Sequence, residues 1–313
     1  MIILDLEWNR GYDKNPLDEI LQIGAVRLDR PGGPITDTFC AFIRPRVHKK
    51  LNRAAKALPE VKASQASDLD FPAAYGQFLA WCGGDGDFAA WGADDFDILR
   101  QNTDHWRLPP LIPRTVTDLQ TAFSLTLGTL QNIALWWAVE YCRLPECFTY
   151  HNALNDAMYS ALVTPWLSRE TLELAARPRW TLRYLLHPCP EQEPRRVEPC
   201  PSLAAALNAK ASRRVRCPVC GEAFLVQTWR FHREGTYYAD LPCRRHGHFV
   251  VRLALEPLKD GRWRGEVAVP PPTSELLRDF GLAQRGEVHL CRGGRRNRRR
   301  RRRPRRKERT RHE

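Results

Sequence analysis

The chain has 313 residues, 43% of them apolar, and a formal net charge of +13, which is length enough for one sizeable hydrophobic core and a second, smaller one. It holds no run of about 18 apolar residues, so no helical membrane span is expected; with no basic leader before its first strand, its ten cysteines are expected in a reducing, cytoplasmic setting as free thiols or metal ligands. The charge is uneven: residues 1–180 carry −4, residues 181–294 carry +6 and residues 295–313 carry +11, so the basicity belongs mostly to the tail.

Met1-Ile-Ile-Leu-Asp-Leu-Glu-Trp8 reads as a strand. Its alternation puts Ile3, Asp5 and Glu7 on one face and Ile2, Leu4, Leu6 and Trp8 on the other. Alone, that pattern is an edge strand with one wet face; with further carboxylates nearby it becomes half of a cation cage, because clustered buried carboxylates need a hard divalent cation. The polar stretch 9–18 reads as a loop. Strands are expected over 19–29 and 36–44, joined by the Pro31-Gly-Gly-Pro34 turn, as an antiparallel meander. Residues 45–70 look irregular. The spacing of Phe71, Ala74, Tyr75, Phe78 and Leu79 predicts a helix to Trp81, stopped by Gly83-Gly84. A short strand at 87–92, a helix from Asp94 or Asp95 to about Asn102, a strand near 115–119, a helix near 129–141 and a helix over 153–167 follow. Such an order predicts an α/β fold with a mixed sheet flanked by helices.

Asp5 and Glu7, Asp95 in Trp91-Gly-Ala-Asp-Asp95, and His151 five residues before Asp156 come in a recognisable order. Together with Glu19-Ile-Leu-Gln-Ile-Gly-Ala-Val26 and His151-Asn-Ala-Leu-Asn-Asp-Ala157, they resemble the DEDD exonucleases of the histidine-containing subclass, over roughly residues 1–170. That resemblance implies an RNase H-like sheet and two-metal phosphodiester hydrolysis, in which two Mg²⁺ or Mn²⁺ ions neutralise charge on the phosphoryl and leaving oxygens. It further implies that Asp5, Glu7 and Asp156 hold the ion that activates water, with Asp5 bridging to a second ion and Asp95 contributing directly or through water. His151 is then the general base, the imidazole being the side chain whose charge changes near neutral pH. Asp94 and Asp97 lie close to Asp95, and are expected to cap the helix and to face solvent. By the same resemblance Trp8 and Asn9 stand where family members contact the terminal nucleotide, although Trp8 equally fits a core position.

Beyond residue 177 the composition changes. Five prolines fall within 177–200, giving a proline-rich linker over 177–201 between an exonuclease domain at 1–176 and a second unit at 202–290. Within that unit Cys217-Pro-Val-Cys220-Gly221 and Cys243-Arg-Arg-His246-Gly247 resemble the paired knuckles of a zinc ribbon, with one structural Zn²⁺ held by Cys217, Cys220, Cys243 and His246. His248 is an alternative to His246, and Cys200 and Cys291 are further thiols. The surrounding Arg213, Arg214, Arg216, Trp229, Arg230, Phe231, Arg233, Arg244 and Arg245 suit either phosphates and unstacked bases or a solvated charged face. Residues 291–313, with six consecutive arginines from Arg298 to Arg303, form an arginine-rich tail expected to be disordered and to bind phosphates without sequence preference.

The sequence thus points to a metal-dependent 3′–5′ exonuclease on single-stranded nucleic acid, RNA ahead of DNA. A DNA repair or proofreading exonuclease is the alternative on the same chemistry. A non-catalytic nucleic-acid-binding protein that kept the fold is the alternative of another class.

Overall fold

The computed structural model describes residues 1–48 and 50–291. Two compact units divide the chain, one over Met1–Arg179 and one from Trp180 onward.

The first unit opens with β1 (Ile2–Asn9), β2 (Glu19–Leu28) and β3 (Ile35–Phe42), an antiparallel meander with partners Asp5↔Gly24 and Ala25↔Phe39. Two short helices follow, α1 (Arg53–Lys56) and α2 (Val61–Ala66), in the stretch expected to be irregular. Next come α3 (Phe71–Cys82), β4 (Asp87–Ala90), α4 (Asp94–Trp106) and β5 (Thr115–Asp118). Helix α3 starts where Asp70 accepts the Ala73 N–H and ends at Gly83 in the left-handed conformation, the usual chemistry of both caps. Strands β4 and β5 are parallel to β1, giving the order β3-β2-β1-β4-β5. This mixed sheet with β1 at its centre has the RNase H-like arrangement of exonucleases.

The helix expected near 129–141 forms only over α6 (Leu135–Tyr141), and a helix not expected from the sequence, α5 (Leu119–Thr126), precedes it. Gly128 turns left-handed between them, and Ser124 Oγ reaches the Gln131 carbonyl at 2.6 Å. Finally α7 (Ala153–Val163) runs into a 3₁₀ turn, followed by α8 (Arg169–Ala175). Ile2, Leu4 and Leu6 bury against α3 and α4 on one side of the sheet. Ile3, Val26 and Ala89 bury against α5, α6 and α7 on the other.

The second unit is larger than a ribbon. The segment expected as linker carries α9 (Arg179–Leu185) and β6 (Arg195–Cys200); four of the five prolines within 177–200 flank these elements, and Pro199 lies within β6, an edge strand, where proline is tolerated. Then come α10 (Leu203–Asn208), α11 (Lys210–Arg213), β7 (Arg214–Arg216), β8 (Ala223–Leu225), β9 (Thr228–Phe231), β10 (Thr236–Cys243), β11 (Gly247–Pro257), β12 (Trp263–Ala268), α12 (Ser274–Ala283) and β13 (Val288–Leu290). An antiparallel six-stranded sheet runs β13-β9-β10-β11-β12-β6, with β7-β8 a separate hairpin. Of the arginine-rich tail, Cys291 is buried in this core; residues 292–313 lie outside the described residues. Among the described residues no helix is long and apolar enough to cross a membrane.

Candidate active site

Alternation along β1 does what the sequence implied. Asp5 and Glu7 share a face with Ile3, on the side covered by α7. The approach of α7 is close enough to demand glycine beneath it: a Cβ on Gly24 would stand 2.1 Å from the Ala153 carbonyl carbon and from the Leu154 nitrogen. Beside Gly24, the buried Gln22 fastens the same helix end. Its Nε2 donates to Asn152 Oδ1 at 3.2 Å and its Oε1 accepts the Ala153 N–H at 3.2 Å. Asn152 in turn caps α7 by accepting the Asn155 N–H. Gln22 is the cross-strand partner of Glu7, so one ladder step joins a site carboxylate to the helix that brings Asp156.

Asp156 lies in the first turn of α7, where the helix dipole favours a negative charge. Its Oδ2 accepts the His151 N–H at 3.0 Å, while its Oδ1 is buried with no hydrogen-bond partner. His151 is exposed and has φ 62°, a left-handed conformation that costs a non-glycine residue about 1 kcal/mol or more. Packing behind it holds the loop: Tyr150 stacks on Tyr159 at 4.9 Å, and the Tyr159 hydroxyl accepts the Phe148 N–H and donates to the Phe148 carbonyl. Glu7, His151 and Asp156 each place a ligand atom within 4.8 Å of the others.

Asp95 enters from the first turn of α4, 6% exposed, and accepts the Leu6 N–H at 3.0 Å. Of its neighbours, Asp97 faces solvent as expected and pairs with Arg100. Asp94 does not cap the helix; Ala93 holds the cap position and Asp94 is the first helical residue, exposed.

Electrostatics show that these four carboxyls cannot all be charged unaided. Burial, then Asp95, Asp156 and Glu7, hold Asp5 well above the usual carboxylate range. Burial and then the charges of Asp156 and Asp95 push Glu7 up to about 8. Asp95 is raised to about 7, chiefly by burial and against the opposing Leu6 N–H. Asp156 rises to about 6 by burial, with the His151 N–H opposing. An all-oxygen cluster that resists ionisation, with one buried carboxylate oxygen unpaired, fits hard divalent cations.

Trp8 takes the core position that the sequence also allowed, and Asn9 is placed otherwise than expected. The ladder slips by one residue between Glu7 and Trp8, and Trp8 packs on the face opposite the carboxylates. Asn9 is 1% exposed, its Oδ1 accepting the Asn52 N–H at 2.8 Å and its Nδ2 donating to the Lys50 carbonyl. Both therefore serve packing and loop anchoring. Two positioning residues escaped the sequence reading, Gln22 and Gly24. Their signal was there: an amide and a glycine inside an otherwise apolar strand mark a place where another backbone comes near.

In the second unit, Cys217 and Cys220 sit at the tip of the β7-β8 hairpin, and Cys243 and His246 at the tip of β10-β11. Gly221 and Gly247 take positive φ just after each pair. The four ligand atoms lie within 4.8 Å of one another, with Cys217 Sγ to His246 Nδ1 at 3.7 Å and Cys220 Sγ to Cys243 Sγ at 3.9 Å. Tetrahedral bonds of about 2.3 Å place neighbouring sulfurs about 3.8 Å apart, so the cluster has zinc dimensions. His248 is instead turned to Asp240, Cys200 to the Glu198 carbonyl and Cys291 to the Leu207 carbonyl. The basic surface is thinner than its sequence. Arg213, Arg216 and Arg230 bond backbone carbonyls, Arg233 approaches Asp279, and Trp229 is fully buried, its Nε1 on the Leu207 carbonyl.

A mixed sheet carrying two carboxylates on its central strand, a third and fourth from helix first turns and a histidine beside them define a nuclease domain of the DEDDh type. A family model described as an exonuclease matches residues 2–164, and the chain belongs to that family. The probable 3′-5′ exonuclease KapD of Bacillus subtilis (strain 168) is 24% identical over 168 residues, covering 50% of this chain and 79% of the relative. Among solved structures, cell-death related nuclease 4 (CRN-4) is similar with 20% identity and a TM-score of 0.44, over 52% of this chain and 62% of that one. The nuclease domain of 3′hExo, a DEDDh family member bound to rAMP, is similar with 18% identity and a TM-score of 0.46, over 56% of this chain and 92% of that one.

Proposed function

We propose that the chain is a divalent-metal-dependent 3′–5′ exonuclease that removes nucleotides from single-stranded nucleic acid, RNA ahead of DNA. The observation that carries this reading is the buried, unpaired Oδ1 of Asp156 beside Asp5, Glu7 and Asp95. Asp5, Glu7, Asp95 and Asp156 would hold Mg²⁺ or Mn²⁺. Bound there, such ions supply neutralisation of the phosphoryl oxygens and of the leaving 3′ oxygen. The chain supplies the rest. His151, exposed beside Glu7 and Asp156, takes the proton of the attacking water. Gln22 and Gly24 keep that histidine and Asp156 against β1, and the stack of Tyr150 on Tyr159 holds the loop in the conformation that presents the imidazole.

The test is a 5′-labelled single strand of RNA or DNA with Mg²⁺ or Mn²⁺, comparing the wild type with Asp5→Ala and His151→Ala. Products shortening one nucleotide at a time from the 3′ end, lost with EDTA and in both variants, are expected. Equal degradation by wild type and Asp5→Ala would refute the assignment, and faster loss of DNA than RNA would reverse the substrate order.

For the second unit we infer one structural zinc on Cys217, Cys220, Cys243 and His246, and a role in capturing nucleic acid for a domain whose own charge is −4 over residues 1–180. The +11 of residues 295–313 adds phosphate affinity that weakens steeply with salt. Deleting 295–313 should weaken binding and flatten its salt dependence; an unchanged slope clears the tail of that role.

A further inference from the structure

Between Arg44 and Lys56 the chain has six Lys or Arg and no Asp or Glu, inside a domain that carries −4 over residues 1–180. The fold sets this stretch at the open end of the acid site. Helix α7 starts over Gln22 and Gly24 and ends against the turn after β2, where Thr164 Oγ1 accepts the Gly32 N–H at 2.9 Å. It therefore covers the acids' face of the sheet from Gly24 onward. The opposite end, at Asn9 and its cross-strand partner Glu19, is left to residues 46–56.

Two buried side chains and a bulge hold those residues there. Trp8 and Ile20 pack on the far face, so Asn9 and Glu19 turn to the face of Asp5 and Glu7. Asn9 stands about 7 Å beyond Glu7 along β1, and its amide bonds the Asn52 N–H and the Lys50 carbonyl. The Glu19 carboxylate, 4% exposed, accepts the N–H groups of Arg46, Val47 and His48. The ladder slip skips Leu21, which buries with Leu51 and Ala55 instead. Bulges commonly re-aim a side chain beside an active site.

A backbone fastened in this way leaves its cations outward. Arg46, Lys50, Arg53 and Lys56 are exposed and make no side-chain hydrogen bond or ion pair among the described residues. Arg53 and Lys56, three apart on α1, share one helix face. Asn52 Nδ2 ties the stretch to the Arg10 carbonyl, and Tyr12 beyond it is 60% exposed with its ring 5.5 Å from that of His48. Within residues 10–18 and 46–62 the exposed acids are Asp13 and Glu60 alone.

We propose that Arg46, Lys50, Arg53 and Lys56 take the phosphates of a single strand just upstream of the 3′ end held at the acids, with Tyr12 offering its ring to an unpaired base. This rests on the exonuclease reading and deepens it: capture begins in the catalytic unit, on the side of the acids that α7 leaves open. Clustered carboxylates repel a polyanion, and fixed cations beside them offset that field where the strand must enter. Such a grip is indifferent to sequence and sensitive to salt and to strand length.

The experiment uses the full chain. Binding of a fluorescein-labelled single strand of about ten nucleotides is followed by anisotropy in Ca²⁺ at several salt concentrations, and cleavage of that strand and of a dinucleotide is measured separately in Mn²⁺. Lys50→Gln/Arg53→Gln/Lys56→Gln should weaken binding by about tenfold or more and lower the salt slope by about 2, as expected for three lost phosphate contacts on a single strand. KM for the long strand should rise far more than KM for the dinucleotide, with little change in kcat. Lys50→Arg/Arg53→Lys/Lys56→Arg keeps the charges and should keep the affinity. An unchanged salt slope in the glutamine variant overturns the proposal. So does an equal loss in the charge-preserving variant, which would make the effect one of shape, or an equal loss on dinucleotide and long strand, which would place the cations' effect on the acid cluster. Failure of the exonuclease reading is distinguishable, because it appears as no cleavage of any strand by the wild type, whereas anisotropy still reports the cationic surface.

Discussion

His151 combines an exposed imidazole with a left-handed backbone, and the two properties can be separated. Asparagine tolerates positive φ better than most residues, so His151→Asn removes the base without adding strain. Its cleavage rate should fall by about 10²–10⁴-fold while its melting temperature stays at the wild-type value; a stability loss of similar size to that of a buried-core variant would show that the ring matters for packing instead. The carboxyls make a second prediction. Each binds protons more tightly in the folded chain than in the unfolded one, so without cations these four groups favour the folded state most at acid pH. Stability is then lost as pH rises from the ordinary carboxylate range through about 6, 7 and 8, where Asp156, Asp95 and Glu7 ionise. Cations reverse that loss, and the rise in melting temperature on adding Mn²⁺ should be larger at pH 8 than at pH 6. An increment independent of pH, or one retained in Glu7→Gln/Asp156→Asn, counts against these acids as the ligands.

At the scale of elements, the site depends on one contact between α7 and β2. Gln22→Leu leaves the Ala153 N–H buried without its acceptor, which should cost about 1–3 kcal/mol and lower kcat more than it raises KM, because Asp156 and His151 lose their register with Glu7. Gln22→Glu keeps the acceptor for that N–H and should recover part of the activity. Gly24→Ala puts a methyl group into the Ala153–Leu154 backbone and should cost about 3 kcal/mol or more; a variant of wild-type stability would mean that α7 can lift from the sheet. Much of this unit was legible from alternation and order alone. The central strand, its two carboxylates, the helix with Asp95 and the helix with Asp156 follow from periodicities of two and 3.6. The role of Asn9 was not legible, because an amide bonded to residues some forty positions on leaves no trace in local sequence, whereas the core position of Trp8 follows from alternation. Helix α5 was missed and the start of α6 was set six residues early, because the left-handed turn at Gly128 and the Ser124 side chain on the Gln131 carbonyl close a loop that local sequence does not mark.

For the molecule as a whole, the second unit was the harder to read. A Cys-x-x-Cys spacing shows where a metal knuckle lies but says nothing of the six-stranded sheet that carries it, whose strands come from residues 195 to 290. Purified chain should contain close to one equivalent of zinc, and Cys217→Ser or Cys243→Ser should lower it together with the stability of this unit, leaving dinucleotide cleavage by the first unit intact. A fully folded chain with no zinc by elemental analysis refutes the site.

Strand β6 finally bears on how the protein is taken apart. It pairs with β12 and places Val197 in the core of the second unit, while Tyr184 of α9 packs with Tyr238 and Phe280. A fragment begun at residue 202 would lose a sheet edge and uncover apolar surface, and its failure to fold or to retain zinc would be a truncation defect. The workable seam for expression or limited proteolysis is the short connection between Ala175 and Arg179, ahead of α9.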